Sequence, residues 1–184
     1  VKIMLYSRQE WDGKSDLRHT QLKKIDIEDL LPRNQIEVDL EAIGKIFTGK
    51  CIMITGAAGS IGSEIVRQVA SFKPSQMILI DQAETPLHDI RLMMMHKFTD
   101  VPALTLTASI SHKCHMEAVF KEYKPDYVFH AAAYKHVPMM EDNPGEAVVN
   151  NIDGTRIIAD LAVKYKTKKF VMVSTDKAVN PTNV

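Results

Sequence analysis

Thr55-Gly56-Ala57-Ala58-Gly59-Ser60-Ile61-Gly62 sets three glycines at the spacing G-x-x-G-x-x-G. A short apolar run, Cys51-Ile-Met-Ile-Thr55, precedes it, and Ile61, Ile65, Val66 and Val69 follow at helical spacing. A pyrophosphate is stabilised by free backbone N–H groups and by the positive end of a helix dipole, and glycine lets the main chain come close to it. A glycine turn between a strand and a helix therefore implies dinucleotide binding; the alternative is a plain flexible turn. No Gly-Lys-Ser/Thr closes the loop, which disfavours ATP or GTP hydrolysis. Asp81 ends the next apolar run, Met77-Ile-Leu-Ile80. A carboxylate there accepts hydrogen bonds from the adenosine ribose and repels a 2′-phosphate, so NAD is expected rather than NADP. The competing reading of Asp81 is a turn or helix-capping residue.

Two further clusters follow later strands. In His130-Ala-Ala-Ala-Tyr-Lys-His-Val-Pro138 the alanines let a ligand lie against a strand end, and Lys135 and His136 offer positive charge to an anion. Ser174-Thr-Asp-Lys-Ala178 ends the last apolar run and places Asp176 and Lys177 side by side as a candidate acid and base, or as a solvated ion pair. His112, Cys114 and His115 lie close together, but no second pair stands at zinc-finger spacing, so they are expected at a surface helix start and no metal site is expected. Lys164, Lys166, Lys168 and Lys169 read as a solvated helix end rather than a lipid or nucleic-acid patch.

The elements that must position these residues alternate. Strands are expected at Cys51–Thr55, Met77–Ile80, Ala103–Ala108, Tyr127–His130 and Phe170–Val173. Helices are expected from Ser60 to about Phe72, from Thr85 to Phe98 and through Met116, Val119 and Phe120 to about Tyr123. A long helix is expected from Glu146 to about Tyr165, with Val149, Ile152, Ile157 and Leu161 on its inner face. Gly154 inside that helix costs about 1 kcal/mol and calls for a packing reason. Five alternations of strand and helix imply an α/β fold, a doubly wound parallel (Rossmann) sheet, here incomplete. Residues 1–49 break the rhythm and read as an N-terminal extension or the tail of a preceding domain. Within them Lys2–Tyr6 reads as a strand, Trp11–Ser15 as a turn and Ile25–Leu31 as a short acidic segment; residues 50–184 form the dinucleotide-binding domain.

Composition narrows the class. The 184 residues carry 23 Lys plus Arg and 23 Asp plus Glu, and 45% are hydrophobic. A neutral chain argues against nucleic-acid binding. No apolar run reaches the roughly 20 residues of a membrane span, so no membrane contact is expected from this chain. The two cysteines, Cys51 and Cys114, make no disulfide framework, which suits a reducing, cytoplasmic setting. The chain starts at Val1 rather than Met and is expected to be a piece of something longer.

Together, Thr-Gly-Ala-Ala-Gly-Ser-Ile-Gly, His-Ala-Ala-Ala-Tyr-Lys-His-Val-Pro, Asn-Asn-Ile-Asp-Gly-Thr and Ser-Thr-Asp-Lys-Ala-Val-Asn-Pro-Thr-Asn resemble the CapD-like nucleotide-sugar dehydratases of bacterial polysaccharide biosynthesis, a branch of the extended short-chain dehydrogenases. The likeness runs from about Asp29 to Val184. It implies NAD as cofactor and a UDP-N-acetylhexosamine as substrate. The implied reaction oxidises C4, eliminates water from C5 and C6, and returns hydride to C6. By position, Thr175, Asp176 and Lys177 would meet the reacting carbons, with Asp176 the acid for the departing hydroxyl and Lys177 the base at C5. The turn residues Gly56, Gly59, Ser60, Ile61 and Gly62, with Asp81, would hold NAD. So would Ser109 and Ile110 after the third strand, Ala131, Ala132 and Lys135 after the fourth, and Ser174 after the fifth.

Ala108-Ser109-Ile110 stands where the family usually carries Gly-Asp-Ile, so a carboxylate contact to adenine is missing and Ser109 can only hydrogen-bond. The family's next catalytic Tyr or Met would fall at position 185, so catalysis by this chain alone is not expected. The resemblance also implies that the longer protein is anchored at the inner face of the membrane, and it is compatible with a homo-oligomer. Alternative readings are a C4 epimerase or reductase and a non-catalytic dinucleotide sensor; the sensor has no need of Thr175, Asp176 and Lys177.

Overall fold

The computed structural model describes residues 39–174, with Met4–Leu5 and Lys23–Lys24. The chain separates into two compact units, Val1–Asp39 and Leu40–Val184. In the first, strands β1 (Met4–Leu5) and β2 (Lys23–Lys24) pair antiparallel. The expected turn at 11–15 and acidic segment at 25–31 lie outside the described residues.

The second unit begins ten residues before the boundary expected from sequence. Helix α1 (Leu40–Phe47) belongs to it, because Phe47 meets Tyr127 and Phe129 edge-on at 5.4 and 5.7 Å between ring centroids.

Five strands form one parallel sheet: β3 (Cys51–Thr55), β4 (Gln76–Asp81), β5 (Ala103–Thr107), β6 (Tyr127–His130) and β7 (Lys169–Met172), in the order β5-β4-β3-β6-β7. The central strands are apolar throughout because helices cover both faces. On one face Ile52, Ile54, Met77 and Leu79 pack with Val66 and Val69 of α2 (Ser60–Ser71) and with Leu87, Ile90 and Met94 of α3 (Glu84–Lys97). On the other, Met53, Ile78, Ile80 and Val128 meet Met116 and Phe120 of α4 (Lys113–Tyr123) and Ile158 and Leu161 of a later helix. Successive strand residues alternate between the two cores, as a period of two requires. The doubly wound fold read from sequence is the one observed.

Two expectations fail in detail. After a short α5 (Val137–Asp142), the long helix expected from Glu146 is present and runs without a break from Pro144 to Lys164. It is not uniform: α6 (Pro144–Ala147) passes into a π-helix over Val148–Gly154 and then into α7 (Thr155–Lys164), so its inner face is not the one expected. The wider π turn shifts the helical phase. Val149 and Ile152, expected inside, are 44% and 61% exposed, and the inner face runs through Ala147, Asn150, Gly154, Ile158 and Leu161. Ile61 lies outside the core stripe of α2 and is likewise exposed.

Among the described residues no helix is long and apolar enough to cross a membrane. Nor, among them, do three His, Cys, Asp or Glu side chains gather where they could hold a metal ion.

Candidate functional site

The sheet order reverses between β3 and β6, and a cleft of about 330 Å³ opens there, at the carboxyl ends of the strands. This is where ligands bind in open α/β sheets.

Its floor is the glycine turn. Gly56 has φ +70°, and a Cβ built on it would lie 2.6 Å from the Ala131 carbonyl, so only glycine fits both the conformation and the approach of the chain leaving β6. A Cβ on Gly62 would lie 1.9 Å from the carbonyl oxygen of Gly56, so the first turn of α2 sits directly on the loop. Gly59 is the N-cap, with no side-chain cap hydrogen bond. The first-turn N–H groups of Ser60 and Ile61 have no carbonyl a turn behind them and can serve an anion.

Asp81 ties the turn to the next element. One carboxylate oxygen accepts the Ala58 N–H at 2.9 Å, and the other accepts the Ala83 N–H at 2.9 Å, at the N-cap of α3. The turn-stabilising and ribose-binding readings of Asp81 are thus compatible: it braces the loop and it lines the cleft. Ala108, Ser109 and Ile110 form the wall beyond β5. The Ser109 hydroxyl is 2.8 Å from that of Ser111 and accepts the Ser111 N–H at 3.3 Å. Gly154 finds its packing reason here, since a Cβ on it would lie 2.7 Å from Ile110 Cδ1.

The wall beyond β6 is held by side chains. The Asn151 side chain accepts the Tyr134 N–H at 2.8 Å and donates to the Tyr134 carbonyl at 2.9 Å, and Asn150 donates to it at 2.9 Å. The π turn is what aims both asparagines inward. Across the cleft mouth Gln82 donates to the Tyr134 hydroxyl at 2.8 Å. Beneath, His130 lies 2% exposed, with Nδ1 2.7 Å from the Thr55 hydroxyl and Nε2 2.9 Å from that of Thr155. Burial lowers its pKa to about 4, so the ring is neutral at ordinary pH.

The structure therefore brings Gly56, Gly59, Asp81, Ser109, Ile110, Ala131 and Ala132 to one cleft. Gly62 is buried under the loop and does not line it, while Ser60 and Ile61 are exposed in the first turn of α2. Lys135 lines a neighbouring cavity of about 380 Å³, which meets the cleft at Tyr134. Ser174 is exposed two residues after β7. Thr175, Asp176 and Lys177 lie outside the described residues. Sequence reasoning gave no role to Tyr134, Asn150, Asn151 or Thr155. All four stand in the motifs that carry the family resemblance, and that was the available signal.

A family model described as polysaccharide biosynthesis protein matches residues 52–184. The capsular polysaccharide biosynthesis protein CapD of Staphylococcus aureus is 45% identical over 170 residues, 92% of this chain and 28% of that protein. The UDP-N-acetylglucosamine 4,6-dehydratase (inverting) of Campylobacter jejuni is 32% identical over 141 residues, 76% of this chain and 40% of the enzyme. The crystal structure of the enzyme WbmG of Bordetella bronchiseptica in complex with NAD superposes with a TM-score of 0.56 at 25% identity, covering 68% of this chain and 37% of that one. The chain thus spans well under half the length of these relatives. Its glycine turn, its sheet order and a match over most of its length agree: the chain belongs to the polysaccharide biosynthesis protein family and carries a Rossmann fold.

Proposed function

We propose that this chain is the NAD-holding part of a nucleotide-sugar 4,6-dehydratase that acts on a UDP-N-acetylhexosamine in surface-polysaccharide biosynthesis. The observation that carries the reading is the cleft at the β3/β6 reversal, where the uncapped first turn of α2 and the Asp81 carboxylate meet. These residues fit a dinucleotide: N–H groups for its pyrophosphate and a carboxylate for its ribose. NAD bound there supplies a hydride acceptor for C4 of the sugar and the same hydride for C6.

The chain's own residues bind and orient. Asp81, already fixed by the Ala58 and Ala83 N–H groups, retains lone pairs for ribose hydroxyls and repels a 2′-phosphate. Lys135, beside the cleft, offers charge to a phosphate of cofactor or substrate. Downstream of Ser174, Asp176 protonates the leaving hydroxyl and Lys177 removes the C5 proton, with Thr175 beside them; the family resemblance supports these roles. The same resemblance supports a longer protein anchored at the cytoplasmic face of the membrane.

Calorimetric titration tests the cofactor reading. NAD is expected to bind with Kd in the micromolar range, about 1–100 μM, and NADP at least about tenfold more weakly. Asp81→Asn should narrow that gap. Equal or tighter NADP binding overturns the role of Asp81. In the longer protein, Asp176→Asn and Lys177→Met should each lower dehydration of UDP-N-acetylglucosamine by about 10²–10⁴-fold. Unchanged turnover would remove both from the chemistry.

A further inference from the structure

We infer that the amino-terminal edge of the sheet, opposite the cleft, is a surface that rests on an anionic bilayer. The inference rests on the proposed membrane attachment of the longer protein and extends it to the five-stranded sheet.

Register brings the charges together. Cys51 pairs with Gln76, Ile52 with Tyr127, and Tyr127 with Lys169, so the strands start along one line and the loops before them share one edge. Those loops are tied to one another: the Ser75 N–H donates to the Lys50 carbonyl at 2.9 Å, and the Lys168 N–H to the Asp126 carbonyl at 2.8 Å. The helices run back against the strands and end at the same edge. Lys50, Lys73, Lys124, Lys166, Lys168 and Lys169 therefore lie on one side of a chain whose formal charge is zero. From sequence, the lysines at 164–169 read as one solvated helix end; the fold sets them beside lysines up to about 120 residues away in the chain.

A second observation is independent of the first. The described non-glycine residues with positive φ are Lys73 at 51°, Lys124 at 45° and Lys166 at 59°. Each follows the end of a helix on this edge. The left-handed conformation favours glycine, the usual residue at this position. A lysine one turn earlier would serve the helix dipole equally well without strain. Lysine thus stands at three places where the backbone favours glycine. That points to a use for the charge beyond the helix it ends.

The local carboxylates leave much of this charge uncompensated. Lys168 pairs with Asp126 at 2.8 Å and Lys73 approaches Asp100 at 4.0 Å, while Glu122 lies near Lys124 in sequence. Among the described residues no ion pair reaches Lys124, Lys166 or Lys169. The six cations are all lysines. Arginine forks suit fixed phosphates such as those of a nucleic acid, whereas mobile point charges suit the diffuse field of fluid anionic headgroups. With this edge on the bilayer, the cleft faces away from it and stays open to a soluble nucleotide sugar.

The test is sedimentation of the 184-residue chain with vesicles, either phosphatidylcholine alone or with about one third phosphatidylglycerol. Binding is expected to the anionic vesicles alone, and release as salt rises and screening shortens. Each lysine near the surface should be worth about fivefold in partitioning. Lys124→Glu/Lys166→Glu/Lys169→Glu should lower binding by more than about a hundredfold while NAD affinity stays the same. Should that variant fold poorly, Lys124→Gly/Lys166→Gly relieves the backbone, keeps or raises Tm, and should still lower vesicle binding by at least about tenfold. No binding, equal binding to neutral vesicles, or glycine variants that bind like the parent would overturn the inference. So would duplex RNA that displaces the vesicles at equal phosphate. NAD titration on the same samples reads the cleft separately, so either proposal can fail without the other.

Discussion

On the β3 side of the cleft, main chain meets main chain: Gly62 sits against Gly56, and Gly56 against Ala131, with no room for one added carbon. On the β6 side the spacing is kept by side chains, with Asn151 gripping the Tyr134 peptide and His130 spanning two threonines. The first wall fails completely or not at all, because a backbone contact cannot yield. The second fails by degrees, in proportion to the hydrogen bonds removed. A site built this way can hold the pyrophosphate end of a ligand in one geometry while the other wall is adjusted by substitution.

The contrast is most severely tested at Gly62. Gly62→Ala should cost about 3 kcal/mol in urea unfolding and abolish NAD binding, since Gly56 and α2 must separate. A loss within about 0.5 kcal/mol would show that the turn yields after all. Next comes His130. Well above pH 6.5 its ring is neutral folded and unfolded, and contributes no pH dependence. Below that, the unfolded chain takes up a proton that the folded one refuses until about pH 4, so stability falls with pH, by about 2 kcal/mol at pH 5. His130→Gln should flatten that limb when urea midpoints at pH 5 and 7.5 are compared. An unchanged slope would place the acid sensitivity elsewhere. The smallest effect belongs to the Tyr134 grip. Asn151→Ala should cost about 1–2 kcal/mol and weaken NAD about tenfold. Tyr134→Phe, which removes only the exposed link to Gln82, should stay within about 0.5 kcal/mol. Equal losses from the two would mean that the hydroxyl link to Gln82 matters to the wall as much as the grip on the peptide.

The same contrast explains what could be read before the fold was seen. The glycine turn is legible because its spacing encodes local backbone geometry, and β3 and β6 are found at the residues expected for them. Asp81 was legible because it ends a strand. The β6 wall was not, because it depends on a π turn that no hydrophobic period announces. Counting at 3.6 residues per turn put Val149 and Ile152 inside, and left Asn150 and Asn151 without a task. The domain start differs from the expected one for a related reason: α1 is tied to the sheet by its single aromatic, Phe47, through partners 80 and 82 residues away. The lysine edge was hidden because it gathers residues from loops that only the sheet register brings together.

The line Thr55–His130–Thr155 has a direction. A neutral imidazole has one N–H and one bare nitrogen, so one threonine hydroxyl receives a hydrogen from the ring and the other gives one to it. Exchanging the tautomer reverses both at once. The end of β3 and the start of α7 are thereby coupled as the two hands of a single rotor, and whatever claims one hydroxyl sets the other.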